Sequence, residues 1–154
     1  MLIYAIVKWI HILCAIVSLG ANLTYFPWFM RVPKNRETLV FTIGTIRVLD
    51  NWIANPSYVL AYITGEIMMR LGGVIHYSTP WMSISLGLYA VISVLGLFIY
   101  APLLKKQQSL AETKGADDAE YQHVARNGII LGTIIVLLTI VITFFMATKP
   151  VLWG

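Results

Sequence analysis

The stretch Gly128–Ala147, GIILGTIIVLLTIVITFFMA, decides the fold class because none of its side chains is charged. A run of about 20 apolar residues is what an α-helix needs to cross a hydrocarbon core of about 30 Å. Three more apolar runs precede it, near residues 2–29, 51–70 and 81–104. They do not alternate in segments of about ten residues, as the strands of a membrane barrel would. The sequence therefore predicts an all-α integral membrane protein.

The composition agrees with a chain solvated by lipid. Hydrophobic residues make up 58% of the 154 residues, charged residues 12%, and the mean hydropathy is +0.77. An average soluble chain has about 25% charged residues, and a small soluble domain could not cover so much apolar surface. We expect a single domain, residues 1–154, folded as an antiparallel four-helix bundle. Its predicted helices are 2–29, 51–70, 81–104 and 127–147.

The basic residues predict an orientation rather than a nucleic-acid-binding surface. The net charge is +4, but the bases flank the apolar runs and form no long cluster. Eight of the eleven lie in two loops, 31–50 and 105–126. The positive-inside rule places these loops in the cytoplasm and both termini outside. We expect a multi-pass protein of the cell inner (plasma) membrane, with a retained first helix that is too long for a signal peptide.

Each predicted helix carries polar or small side chains at spacings of three or four residues, which places them on one face. Polar groups facing lipid are costly, so these faces are expected to point into the bundle. Gly128 and Gly132 would allow a close helix approach there. The simplest interpretation is that such stripes only join helices. The predicted polar residues of the bundle core are Ser18, Asn22, Asn55, Tyr58, Tyr62, Glu66, Tyr89 and Ser93.

His11 is the ionisable residue predicted nearest to mid-membrane, about 14 Å along the first helix at about 1.5 Å per residue. A neutral imidazole at that depth needs a hydrogen-bond partner, or it can ligate haem iron. The other helices offer no second histidine at the same depth, and His76 lies in the outer turn. The residues leave three alternatives open: a structural histidine, haem b bound by His11 alone, or haem b bound by His11 with His76.

The remaining ionisable residues predict no further chemistry. Glu66 stands four residues before Arg70, a spacing that favours an ion pair at the outer end of the second helix. His123 is expected to be a solvated loop histidine. The sequence holds no metal-ligand spacing, nucleotide fingerprint or hydrolase motif. Catalytic residues therefore stay unknown, and the one metal that the residues leave open is a haem iron at His11.

Several short motifs follow one another along the chain. The first helix has KWIHIL at residues 8–13, and the second has the Thr64-Gly65 pair. Tyr121 stands shortly before Arg126, and the chain nears its end with FMATKP at 145–150. In this order the motifs resemble the bacterial family of predicted integral membrane proteins known as domain of unknown function 2269. The segment HVARNG, 123–128, departs from the arginine-rich, tryptophan-containing stretch expected there.

A more distant resemblance rests on the spacing Lys8-x-x-His11. It is similar to a segment of the four-helix haem-binding protoporphyrinogen oxidases and of copper-resistance D-type membrane proteins. This resemblance implies a haem ligand at His11.

Three functions compete. The first is a haem-binding protein with a redox role. The second is a cofactor-free accessory or structural subunit of a larger membrane complex, or a homo-oligomer, which would use an outward-facing surface at Gly128 and Gly132. The third is a small transporter, which is least favoured because no inverted repeat with broken helices is visible.

Overall fold

The structure, a computed structural model, describes residues 2–72 and 77–151. Every secondary-structure element within these two ranges is a helix, which confirms the predicted all-α class. Two π-helical segments, Asp50–Ala54 and Leu95–Tyr100, each connect two consecutive α-helices. The α-helices are α1 (Leu2–Arg31), α2 (Arg36–Leu49), α3 (Asn55–Gly72), α4 (Pro80–Val94), α5 (Ala101–Thr113) and α6 (Ala119–Thr148).

Three helical stretches are long and apolar enough to cross a membrane: Leu2–Arg31, Pro80–Thr113 and Ala119–Thr148. Few side chains on these stretches are buried inside the isolated chain, so lipid can cover the others. The predicted second span, 51–70, falls mainly in α3, which does not reach the same apolarity within the described residues. Asn55, Glu66 and Arg70 account for part of this difference because they add polar and charged groups to α3.

Each π-helical segment ends two residues before a proline. The Asn55 N–H donates to the carbonyl of Asp50, and the Ala101 N–H donates to that of Gly96. Pro56 and Pro102 follow, and neither can donate the N–H that an α-helix requires. The wider turn carries the helix across this missing bond. The sequence leaves open whether Pro56 begins a helix or interrupts one, and the structure shows an interruption.

The prediction of an open loop at residues 31–50 is wrong, because most of this segment forms α2. The side chain of Asn35 accepts a hydrogen bond from the Thr38 N–H at 2.8 Å and caps the helix. Leu39 and Ile43 are buried and pack together with Leu110 of α5. The second basic loop is also mostly helical, since α5 continues to Thr113 and α6 begins at Ala119.

The long helices pack in antiparallel pairs. Along α1 and α3, Tyr4 lies beside Gly72 and His11 beside Gly65. Along α4 and α6, Lys149 lies 5.5 Å from the ring centre of Trp81, and α1 also packs along α6. Among the described residues, no Cα atom of α3 comes within 8 Å of one in α4. The side chains of α3 and α4 nevertheless meet, because the Tyr62 and Tyr89 rings stack at 5.4 Å.

A cluster of charged side chains lies at the short connection between α5 and α6. Lys114 donates to the Glu120 carboxylate at 2.7 Å, and Lys106 pairs with it at 2.9 Å. These hydrogen bonds, with the attraction of the two ammonium groups, lower the pKa of Glu120 to about 2. The Asp118 side chain accepts hydrogen bonds from the first N–H groups of α6 and caps it. The basic residues of this connection are thus partly neutralised on the protein itself.

Candidate functional site

His11 lies at the contact between α1 and α3. Its Nδ1 is 2.8 Å from the carbonyl oxygen of Ala61 and 3.1 Å from the Thr64 hydroxyl. The Thr64 hydroxyl donates its own proton to the carbonyl of Leu60 at 2.6 Å. Nδ1 therefore carries the proton and donates it to α3. The ring packs so closely that a Cβ placed on Gly65 would be 3.3 Å from its Cε1 atom.

This tautomer leaves Nε2 of His11 with a lone pair. Nε2 has no hydrogen-bond partner among the described residues, and it is not among the fully enclosed polar atoms. A histidine that ligates a metal usually donates its other ring N–H to a carbonyl or carboxylate, which fixes the ring and makes the ligating nitrogen more basic. The Ala61 carbonyl supplies that support here, so His11 fits one axial ligand of a haem iron.

Within the described residues, His11 belongs to no cluster of metal-ligating side chains. The described residues contain no group of three or more His, Cys, Asp or Glu side chains placed to hold a metal ion. His123 lies in the second turn of α6, where it is exposed and contacts Asn127 at 3.4 Å. The prediction that His76 is the second ligand falls outside the described residues. Among the described residues, His11 is thus the one candidate ligand for a haem iron.

A polar network joins four helices next to this site. Asn22 of α1 donates to the Ser18 carbonyl at 2.8 Å and to the Tyr58 hydroxyl at 3.4 Å. The Tyr58 hydroxyl is also 3.2 Å from the Thr139 hydroxyl of α6. Tyr89 of α4 donates to the Tyr58 carbonyl at 3.3 Å. Tyr58 is therefore the residue through which α1, α3, α4 and α6 are connected.

The other polar residues predicted for the core have separate positions. Ser93 is half-buried, and its hydroxyl donates a hydrogen bond to the Tyr89 carbonyl. The Asn55 side chain donates to the Asp50 carboxylate. Tyr62 is 48% exposed, so its side chain lies at the surface and not in the interior. Glu66 is near the C-terminal end of α3, where it binds Tyr77 and forms the predicted ion pair with Arg70 at 2.9 Å.

Gly128 and Gly132 face the inside of the molecule. A Cβ on Gly128 would lie 3.4 Å from Gln107, and one on Gly132 would lie 3.5 Å from the Tyr100 ring. The predicted close helix approach is present, between α6 and the helix that runs from α4 into α5. The predicted outward-facing surface at these glycines is wrong, because Tyr100 and Gln107 already cover them.

Sequence reasoning missed Asp50. It was expected at the edge of a loop, whereas the structure buries it to 7% exposure in the π-helical segment. Its carboxylate accepts one hydrogen bond from Asn55, at 3.3 Å. The spacing of Asp50, Ala54 and Tyr58 at four residues was the available signal, since it continues the inward face of α3 by two turns.

Comparison with known proteins adds a family and no activity. Residues 5–150 match the profile of a family described as predicted integral membrane protein, domain of unknown function 2269. No curated protein and no solved structure is significantly similar to the chain. The match covers nearly every helix, including the His11 contact between α1 and α3. The chain belongs to this family of predicted integral membrane proteins, domain of unknown function 2269.

Proposed function

We propose that the protein is an antiparallel four-helix bundle of the cell inner membrane that binds haem b through His11. In this arrangement α3 is the fourth span, held by its contacts with α1 and by Tyr89, which reaches it from α4. Both termini lie outside, and the basic segments 31–50 and 105–126 lie in the cytoplasm. Two observations support the topology: α1 and α3 are antiparallel, as are α4 and α6, and the bases gather at one end.

The observation that carries the haem proposal is the hydrogen bond from His11 Nδ1 to the Ala61 carbonyl. It leaves Nε2 as a lone-pair donor and holds the ring against Gly65. When bound, the haem would supply electron transfer. His11 would hold the iron, while Thr64 and Ala61 keep the ring in place.

The absorption spectrum of the purified protein tests this proposal. The full chain should be produced in haem-replete cells, and the wild type should then show a Soret band. His11→Gly should lose the band, and added imidazole should restore it by ligating the iron from the space that the side chain leaves. His123→Gly, which removes an exposed histidine, is the matched control and should keep the wild-type spectrum.

Three results would contradict the haem proposal. A colourless wild-type preparation from haem-replete cells would exclude haem binding. A Soret band that survives in His11→Gly would assign the iron to another residue. Equal losses in His11→Gly and His123→Gly, without recovery in imidazole, would show that the band does not depend on His11 as a ligand.

A further inference from the structure

A second site lies about 16 Å from the His11 contact, since Asp50 and Ala61 are eleven residues apart at about 1.5 Å per residue. A groove of about 400 Å³ opens there between the end of α2 and the start of α5. Arg47, Asp50 and Lys105 contribute charged groups to its wall, and Leu97 and Pro102 contribute apolar ones. Both π-helical segments border this groove, and such segments are frequent at functional sites.

The groove is at the depth of lipid headgroups in the proposed topology. Asp50 directly precedes the predicted span 51–70, and Lys105 directly follows the predicted span 81–104. Basic pockets at the cytoplasmic ends of spanning helices are known lipid headgroup sites. The apolar residues Leu97 and Pro102 lie towards the membrane from Lys105, where the glycerol and upper acyl chain of a lipid would pass.

The charged side chains of the groove lack salt-bridge partners within the described parts of the chain. Asp50, Arg47 and Lys105 form no ion pair there. Arg47 donates instead to the neutral side chain of Gln108, and Asp50 has only the amide of Asn55. A carboxylate that is 7% exposed without a cation is costly. An incoming cation at Asp50 would remove this cost.

Tyr25 provides an independent indication that a polar group is missing beside Asp50. Its side chain is 3% exposed, and its hydroxyl has no hydrogen-bond partner among the described residues. Tyr25 packs in one buried cluster with Ile46 and Leu104, the sequence neighbours of Arg47 and Lys105, and α1 contacts the π-helical segment that begins at Asp50. A buried hydroxyl normally finds a partner in the protein or in a bound molecule.

We propose that this groove binds the headgroup of phosphatidylethanolamine, with the lipid ammonium at Asp50 and the lipid phosphate at Arg47 and Lys105. Arg47 and Asp50 are three residues apart, which separates them by about 4.5 Å along the helix. This separation suits a cation and an anion joined by a two-carbon linker. The groove thus places a negative side chain at the lipid ammonium and positive side chains at the lipid phosphate.

The charge pattern distinguishes this lipid from the other common ones. Phosphatidylglycerol and cardiolipin carry the phosphate but no cation for Asp50. Phosphatidylcholine carries a cation, but its methylated nitrogen has no N–H to donate to a carboxylate. Asp50 is therefore the residue that selects the headgroup, while Arg47 and Lys105 bind the phosphate common to all of these lipids.

Native mass spectrometry of the full-length, delipidated protein in detergent tests the proposal. The probe is an equimolar mixture of phosphatidylethanolamine and phosphatidylglycerol. The wild type should retain phosphatidylethanolamine about fivefold more than phosphatidylglycerol, the factor of one favourable charge contact near a membrane surface. Asp50→Asn should bring this ratio close to one, because both lipids keep their phosphate contacts.

Lys105→Gln is the second variant, chosen because Lys105 is exposed and its loss leaves the packing unchanged. It should lower the retention of both lipids about fivefold without changing their ratio. Lys34→Gln, which removes an exposed base from the same end of the molecule, should behave as wild type. The haem spectrum should be unaffected by all three variants, which separates this proposal from that of His11.

The proposal is overturned if the wild type shows no preference between the two lipids or prefers phosphatidylglycerol. It is also overturned if the preference persists in Asp50→Asn, or if Lys105→Gln retains both lipids as well as Lys34→Gln does. If the Asp50→Asn protein misfolds and does not elute as a single species, the lipid retention of Lys105→Gln compared with Lys34→Gln decides whether the proposal stands.

Discussion

Two regions of the molecule differ in what they bury. Outside the predicted spans, α2 and α5 meet the start of α6 around Leu39, Ile43, Leu110, Ala111, Tyr121 and Val124, here called the α2–α5 core. In contrast, α1, α4 and α6 enclose polar residues such as Ser18, Ser85 and Thr139. Many of their large apolar residues, Leu137 and Ile16 among them, face outwards.

The two regions differ because water surrounds the α2–α5 core and lipid surrounds the spanning helices. Around the α2–α5 core, burial removes apolar side chains from water and is driven by the hydrophobic effect. Within a bilayer, lipid tails are as apolar as leucine, so a leucine gains little from burial. Packing and hydrogen bonds then determine which residues face inwards, and small and hydroxyl side chains supply both. The same apolar residue is therefore a core residue in one region and a surface residue in the other.

The largest expected effect comes from a cavity in the α2–α5 core. Ile43 is fully buried, and Ile43→Ala should cost about 2–5 kcal/mol in the free energy of unfolding. At this chain length each kcal/mol lowers the melting temperature by about 2–4 °C. Phe41→Ala on the same helix is the control, since Phe41 is 71% exposed. Thermal unfolding in detergent measures both, and equal shifts would contradict the assignment of this core.

A comparable effect is expected at the outward face of α6. Leu137 is 56% exposed and lies in the middle of an uncharged run. Leu137→Arg should cost about 3 kcal/mol in membrane insertion, because the charge would face the centre of the bilayer. Ser109→Arg, on the exposed side of α5, should insert normally. The fraction of chain that resists carbonate extraction measures insertion, and equal fractions would place Leu137 away from lipid.

Much of the membrane region is predictable from sequence because one physical signal dominates it. Uncharged runs such as Gly128–Ala147 have few alternatives to a spanning helix. The spacing of Ser18 and Asn22 predicts an inward face, and the structure buries both. Tyr62 has the same spacing along α3 and is nevertheless half exposed, since α3 and α4 are too far apart to enclose its ring.

The α2–α5 core is harder to predict, because its helices are short and rich in charge. Arg36, Glu37 and Arg47 make the segment look like a solvated loop, although Asn35 is a good helix cap and Leu39 and Ile43 have helical spacing. The burial of Asp50 depends on a partner helix that is distant in the sequence. Spacing alone does not reveal that Leu97 and Lys105 form the other wall of its groove.

The smallest expected effect is the free energy contributed by one hydrogen bond in the polar interior of the membrane region. Tyr58 and Thr139 share a hydrogen bond of 3.2 Å between α3 and α6. Tyr58→Phe and Thr139→Val each remove it, and the double variant should show a coupling of about 0.6 kcal/mol, the average for hydrogen bonds between membrane helices. Reversible unfolding in mixed micelles supplies the four free energies. Additive losses would mean that this bond contributes nothing, and that close packing alone holds α6 against α3.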